Sequence, residues 1–258
     1  MGKTFYEAET PEDAIKRYLQ ANDTLYDNMK NKVIKAVLCS VVDSWDSLKV
    51  LEVGAGGGIW TDFFVRQGAD VTCIDSCEQI LKGNAKLHPE AKFILADATT
   101  VTLKEKFDLI FAKDIIEHIE RDIDFLRSMN RHLKKEGLLL ITTQNALSLN
   151  YLIEGGFNFI RGNKNWCGWD PTHVRVYTHK SINKELKTTG FKVTKFFGVY
   201  HFPYRFISQI IFKKILERRS FHFVETQKLS EKHPFNITGW NIGIVAKKIK
   251  EDNHGISP

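Results

Sequence analysis

The residues with the most chemical content sit where apolar runs end. Val50-Leu51-Glu52-Val53 leads into Gly54-Ala55-Gly56-Gly57-Gly58 and then Ile59-Trp60-Thr61-Asp62, which reads as a short buried strand, a glycine turn and a helix start. Glycine tolerates positive φ and lets a ligand approach the backbone, and a helix start offers unpaired N–H groups. Glu52 puts a carboxylate at the strand end, two residues before the first glycine. Asp75 closes the next apolar run about 20 positions after the turn, a place from which one carboxylate can accept hydrogen bonds from two ribose hydroxyls. The dinucleotide fingerprint puts its third glycine where this chain has Ile59. Together these residues support a nucleoside ligand without naming it.

Two histidines could move protons. His118 lies in the stretch Lys113-Asp114-Ile115-Ile116-Glu117-His118-Ile119, and His173 in the aromatic-rich stretch Trp166–Thr178. Both fall in loops expected at the carboxyl edge of a sheet, where a base could take the proton of a phenol or hydroxyl. His173, preceded by Asp170 and Thr172, is the preferred candidate; the competing readings are a packed His118 and a surface His173. Glu117 and Asp114 either orient His118 or face solvent. Trp166, Trp169 and Tyr177 would suit an aromatic acceptor, although loop aromatics are more often packed. His201 and His222 are weaker candidates, and no ligand cluster for a metal is visible.

These side chains need a scaffold, and the chain repeats one rhythm of apolar run, loop and helix. Strands are expected at 49–53, 70–74, 91–95, 107–112, 138–142, 191–197 and 239–248, with helices between them at about 59–67, 78–88, 122–133 and 180–189. Pro11 opens a short helix through Tyr18 and Leu19. A second helix covers about 23–42, its stripe being Leu25, Met29, Val33, Val37 and Val41, widened by Ile34 and Leu38. Residues 146–178 read as one long connection, which is usually functional or mobile. The expected fold is α/β: a Rossmann-like, seven-stranded, mostly parallel sheet with helices on both faces and an antiparallel last strand. Residues 1–45 would form a helical cap, 46–258 the main domain, and 200–236 an insert.

The pattern Glu52-x-Gly54-x-Gly56-x-Gly58 resembles motif I of the class I S-adenosylmethionine (SAM) methyltransferases. The block Asp114-x-x-Glu117-His118-Ile119, a helix, then Leu133-Lys134-x-x-Gly137-Leu138-Leu139-Leu140-Ile141-Thr142 resembles the small-molecule members, the ubiquinone-biosynthesis O-methyltransferases among them. The likeness is good from about Val50 to Asn145 and loose in the tail; Gln144 departs from the Pro that relatives carry before Asn145. The resemblance implies SAM as cofactor. It places Glu52, Gly54, Ala55 and Gly56 at the amino-acid end, Asp75 and Ser76 at the ribose, Asp97 at the adenine amino group, the backbone of Ala98 at the ring and Lys113 nearby. It implies methyl transfer to a small or lipophilic acceptor, oxygen preferred. The leading helices of such enzymes often cover the cofactor, so Tyr6, Tyr18 or Tyr26 could touch it.

Other classes fit less well. A formal charge of +6 on 258 residues is mild, and no Pro-Cys pair or Asn-Pro-Pro-Tyr motif marks a nucleic-acid methyltransferase. A protein methyltransferase or a non-catalytic SAM-binding module stays open, whereas the glycine spacing and Asp97 argue against a dehydrogenase. Four scattered cysteines and the lack of an apolar leader in Met1–Glu7 suggest a reduced, cytoplasmic setting. No nucleic-acid partner is expected, and the chain would be a monomer or homodimer. The apolar stretch 202–219, basic at its end, reads as a lid, a dimer face or an interfacial membrane helix.

Overall fold

The computed structural model describes residues 8–22, 25–199 and 227–249. The expected helix and membrane contact at 202–219, the histidines His201 and His222, and Tyr6 lie outside the described residues.

In chain order the elements are α1 (Pro11–Asn22), α2 (Leu25–Val41), β1 (Lys49–Val53), α3 (Ile59–Arg66), β2 (Asp70–Asp75), α4 (Glu78–Leu87) and β3 (Lys92–Leu95). They continue with β4 (Phe107–Lys113), a 3-10 turn (Ile116–His118), α5 (Asp122–His132), β5 (Leu133–Gln144), α6 (Leu149–Ile160) and α7 (His179–Thr188). The chain closes with β6 (Phe191–Val199), α8 (Gln227–Ser230), α9 (Phe235–Thr238) and β7 (Asn241–Lys248). The seven strands form one sheet in the order β3-β2-β1-β4-β5-β7-β6. β1 to β5 pair in parallel, and β7 runs antiparallel between β5 and β6. The expected α/β sheet is therefore present. The order reverses at β1, whose neighbours are β2 and β4, and such a switch point opens a crevice for ligands at the strands' carboxyl ends.

Strand side chains alternate between faces, and each face carries its own core. One joins Val50, Val71, Cys73, Leu109 and Phe111 to Val33, Ile34, Val37 and Leu38 of α2 and to Trp60 and Phe64 of α3. The other joins Leu51, Val53, Ile110 and Ala112 to Phe125, Leu126 and Met129 of α5 and to Ile182 and Leu186 of α7. α1 packs on α4, where Ile15 fills the space a Cβ would need at Gly83.

Two expectations change. β5 begins at Leu133 instead of after a 134–137 turn, because Glu136 adopts φ +64 and the β4–β5 register shifts between Phe107 and Leu109. The supposed connection 146–178 contains α6, whose start is capped by the Ser148 hydroxyl accepting from the Tyr151 N–H at 3.3 Å. Leu149, Leu152, Phe157, Phe159 and Ile160 of α6 are exposed and Gly155-Gly156 interrupts its middle, so the usual inward apolar stripe is reduced to Tyr151 and the half-buried Ile153.

Candidate active site

The glycine turn is built by its own backbone. Gly54, Gly56 and Gly58 stand at φ +82, +50 and +78, a region that side chains rarely adopt. The Gly54 N–H donates to the Ile74 carbonyl at 2.8 Å, locking the turn to β2. From α4, the buried Asn84 donates Nδ2 to the Gly56 carbonyl at 2.9 Å.

Glu52 lies beneath this turn. The parallel register sets Glu52 beside Cys73, on the face covered by α3. Its Oε2 accepts from the Thr61 hydroxyl at 2.6 Å and the Cys73 thiol at 3.2 Å, while Oε1 is buried with no hydrogen-bond partner. Burial pushes the carboxyl up to about 8, the Thr61 and Cys73 bonds offsetting part of that and the charge of Asp75 adding to it. A buried acid with one orphaned oxygen fits a site completed by a cation. Asp75, at the end of β2, accepts from the Cys77 N–H at 2.8 Å and also from the backbone of Ala55, Gly56 and Ser76. The carboxylate and the turn thus form one unit, although burial still raises the Asp75 pKa. Asp97, past β3, is exposed and lowered by the N–H and hydroxyl of Thr99, both at 2.7 Å from Oδ1. Ala98 follows it, half-buried. Glu52 with the glycine turn, Asp75 and Asp97 thus lie at or just past the carboxyl ends of β1, β2 and β3, beside the switch point.

α1 covers the turn. A Cβ on Gly56 would meet the Tyr18 ring at 2.5 Å, and one on Gly57 would meet Leu19 at 2.5 Å. Burial raises the Tyr18 hydroxyl, Lys113 opposing the shift and Asp114, Glu52 and Asp75 adding to it, so it sits among the site's charges. Of the three leading tyrosines, Tyr18 reaches the turn; nothing is described for the side chain of Tyr26.

Sequence reasoning missed Lys30. Asp114, at φ +55 just past β4, receives Lys30 Nζ at 2.5 and 2.6 Å, the Thr142 hydroxyl at 2.9 Å and Lys113 Nζ at 3.2 Å. Burial works against its charge, but the two lysines prevail and hold Asp114 well below the usual carboxylate range. Burial likewise opposes the charge on Lys113, and Asp114, Tyr18 and Asp27 raise it in spite of that. The signal was present: Lys30 precedes Val33, Ile34 and Val37 by three, four and seven, on the inward stripe of α2.

The two histidines, 55 positions apart, meet with ring centroids 4.7 Å apart. The meeting is organised from α5. Its first residue, Asp122, takes the Tyr177 hydroxyl at 2.8 Å and Arg175, and the Val174 N–H donates to the Glu117 carbonyl at 2.9 Å. Tyr177 is therefore a buried clamp, the packed alternative of the two that the sequence left open for it. Trp166 and Trp169 pack with Tyr151 at 5.3 and 5.0 Å, and Trp169 with Trp240 at 5.1 Å. Asn145 holds the same region from behind, donating to the carbonyls of Ile237 and Gly239 at 2.9 and 2.7 Å.

The hydrogen-bond chain fixes a tautomer. The Thr172 hydroxyl donates to Asp170 Oδ1 at 2.6 Å, and Thr172 Oγ1 lies 2.9 Å from His118 Nδ1. A hydroxyl has one proton, so Nδ1 must donate and Nε2 of the exposed His118 keeps a free lone pair. His173 stands with Nε2 4.0 Å from Asp170 Oδ2; burial and then His118 lower its pKa. Glu117 is fully buried, with neither oxygen hydrogen-bonded, and burial followed by the charge of Asp114 pushes it up to about 8. Ligand atoms of Glu117, His118 and His173 all lie within 4.8 Å of one another, a cluster that their separation in sequence concealed.

The chain resembles the ubiquinone biosynthesis O-methyltransferase of Sinorhizobium fredii, with 26% identity over 166 residues. The match covers 60% of this chain and 64% of that enzyme, so less than two thirds of the relative has a counterpart here. Among solved structures, the cyclase SpnF superposes with a TM-score of 0.62 at 16% identity, over 88% of this chain and 84% of that one. The N-methyltransferase NodS of Bradyrhizobium japonicum, solved with S-adenosyl-L-homocysteine, gives a TM-score of 0.56 at 12% identity, over 94% and 100%. At such identities the structural likeness shows the fold alone. Among the described residues no helix is long and apolar enough to cross a membrane. A model of the methyltransferase domain family matches residues 8–195, and with the motif-bearing strands all inside that span the chain belongs to this family.

Proposed function

We propose that the protein transfers a methyl group from SAM to a hydroxyl of a small, lipophilic acceptor. SAM supplies an activated methyl on a sulfonium, whose departure leaves a neutral group. The residues around Gly54–Gly58 bind it: Glu52 and Asp75 hold its cationic and ribose ends, Asp97 and Ala98 its base, and Tyr18 shields it from water. What is left for the protein is alignment and removal of the acceptor proton.

One observation carries the acceptor reading, the chain Asp170–Thr172–His118 at the carboxyl edge of the sheet that bears the glycine turn. His118 Nε2 takes the proton, Thr172 and Asp170 hold the ring, and His173 meets it edge to face. A hydroxyl acceptor also agrees with the O-methyltransferase name of the Sinorhizobium relative. The test is turnover with phenols and quinol precursors alongside SAM calorimetry. His118→Gln should lower kcat about 100-fold or more with SAM affinity intact. Unchanged turnover in His118→Gln would remove the base assignment.

A second reading rests on Glu117. A divalent cation held by Glu117, His118 and His173 would satisfy the unpartnered carboxylate and acidify an acceptor hydroxyl directly. Calorimetry with zinc or magnesium chloride on wild type and Glu117→Gln separates the two readings. Activity that survives exhaustive chelation rules the cation out.

A further inference from the structure

We infer that Asn84 of α4 is a positioning residue for the amino-acid end of SAM: it holds the Gly56–Gly57 peptide so that the Gly57 N–H is free to donate to that end's carboxylate. This role rests on SAM as cofactor and needs no acceptor. Asn84 is fully buried on the stripe that Ile80 and Leu81 begin, where a leucine would pack with no polar atom to satisfy. Its Nδ2 donates twice, to the Ile80 carbonyl at 3.0 Å and to the Gly56 carbonyl at 2.9 Å. Turning the amide over would set its oxygen against both carbonyls, so the two donors fix its orientation. Oδ1 is left buried with no hydrogen-bond partner, and it lies over Gly58, where a Cβ would come within 2.2 Å of it. An orphaned oxygen opposes stability, so packing alone does not explain an amide at this place.

The consequence falls on the next peptide unit. A trans peptide is planar, with its C=O and N–H on opposite sides. Drawing the Gly56 carbonyl toward α4 therefore turns the Gly57 N–H away from α4. The other N–H groups of the turn already have acceptors. That of Gly54 goes to the Ile74 carbonyl, those of Ala55 and Gly56 to Asp75, and that of Gly58 to the Ala55 carbonyl. Among the described residues nothing accepts from the N–H of the half-buried Gly57. An unpaired N–H in a tight turn favours an anion. Of the groups SAM carries, only the amino-acid carboxylate is anionic. Glu52, beneath the turn, suits the ammonium of the same end, so the two charges of that end meet groups of opposite character. A nucleoside without an amino-acid end would gain nothing from Asn84.

The experiment is calorimetry of the full chain with S-adenosyl-L-homocysteine and with methylthioadenosine, which keeps the nucleoside and lacks the amino-acid end. Asn84→Leu removes the donors at similar volume, and Asn84→Asp removes them while keeping the shape. Both variants should bind S-adenosyl-L-homocysteine at least about tenfold more weakly, and methylthioadenosine within about twofold of wild type. A second readout needs no variant. In isotope-labelled wild type the Gly57 amide proton should move downfield with S-adenosyl-L-homocysteine and stay in place with methylthioadenosine. Equal losses for the two ligands would reduce Asn84 to a packing residue of the turn. Wild-type affinity in either folded variant would also overturn the assignment. So would a Gly57 proton that S-adenosyl-L-homocysteine leaves unmoved, whether or not the variants fold.

Discussion

Replacing Glu52 by Gln should flatten the pH dependence of SAM binding. The Glu52 carboxyl, raised to about 8, is roughly nine-tenths protonated at pH 7 without ligand. A cationic ligand end favours the ionised form, so binding releases close to one proton, about 0.9 at pH 7. Affinity then rises with pH, by roughly 50-fold between pH 6 and pH 8, and levels off above that. Glutamine has no proton to lose, so the variant should bind more weakly at pH 8 and show no such slope. Stability responds in the opposite sense. The unfolded chain loses this proton near its ordinary value of 4.5 and the folded chain near 8, so rising pH destabilises the ligand-free protein across that window. The slope reaches about 1.4 kcal/mol per unit. Glu52→Gln removes that loss and should melt higher than wild type at pH 8. Calorimetry in phosphate and in Tris gives the proton count directly. No proton release at pH 7, or an equal slope in the variant, would refute the linkage.

Gly56→Ala should weaken SAM binding at least about tenfold, because a Cβ at φ +50 is strained and meets Tyr18 at 2.5 Å; calorimetry with wild-type affinity would contradict this. Asp75→Ala should weaken SAM binding several-fold by the same measurement, since it removes the ribose acceptor and the anchor of the turn. Lys30→Met should cost about 3 kcal/mol in urea denaturation, the low end for breaking a buried pair because Lys113 still faces Asp114; a loss below about 1 kcal/mol would show the pair to be dispensable. Tyr177→Phe should cut turnover while sparing SAM affinity, since it loosens the loop bearing His173 without touching the glycine turn.

The cofactor half was legible because its signals are local. Glu52, three glycines and Asp75 lie within one strand-turn-helix-strand unit, and the backbone geometry that needs glycine announces itself in composition. The acceptor half was legible only in parts. His118 and His173 each stood out by type and surroundings, but their contact depends on Asp122 receiving Arg175 and Tyr177, a link that no local pattern encodes. Tyr177 and the tryptophans could be read either as ligand contacts or as packing, because an aromatic in a loop carries no mark of which it is. Lys30 was overlooked because attention went to the apolar members of its stripe, when the cation among them was the informative residue. α6 escaped because periodicity reports a helix through its inward apolar face, and here that face is reduced to Tyr151 and Ile153.

The place of β7 has a consequence for the order of events during synthesis. β7 lies between β5 and β6, and Asn145, just past β5, donates to carbonyls at 237 and 239. Everything from β1 to β4 can pair as it leaves the ribosome, each strand adding beside one already made. β6 has no strand to join until β7 has been translated, and Asn145 has no carbonyls to hold until residues 237–239 exist. A nascent chain can thus shape its glycine turn early, while the edge made by β6 and the hold of Asn145 on residues 237–239 wait for β7 and the residues before it. Truncation before residue 237 would leave β6 without its partner strand and Asn145 without its two carbonyls.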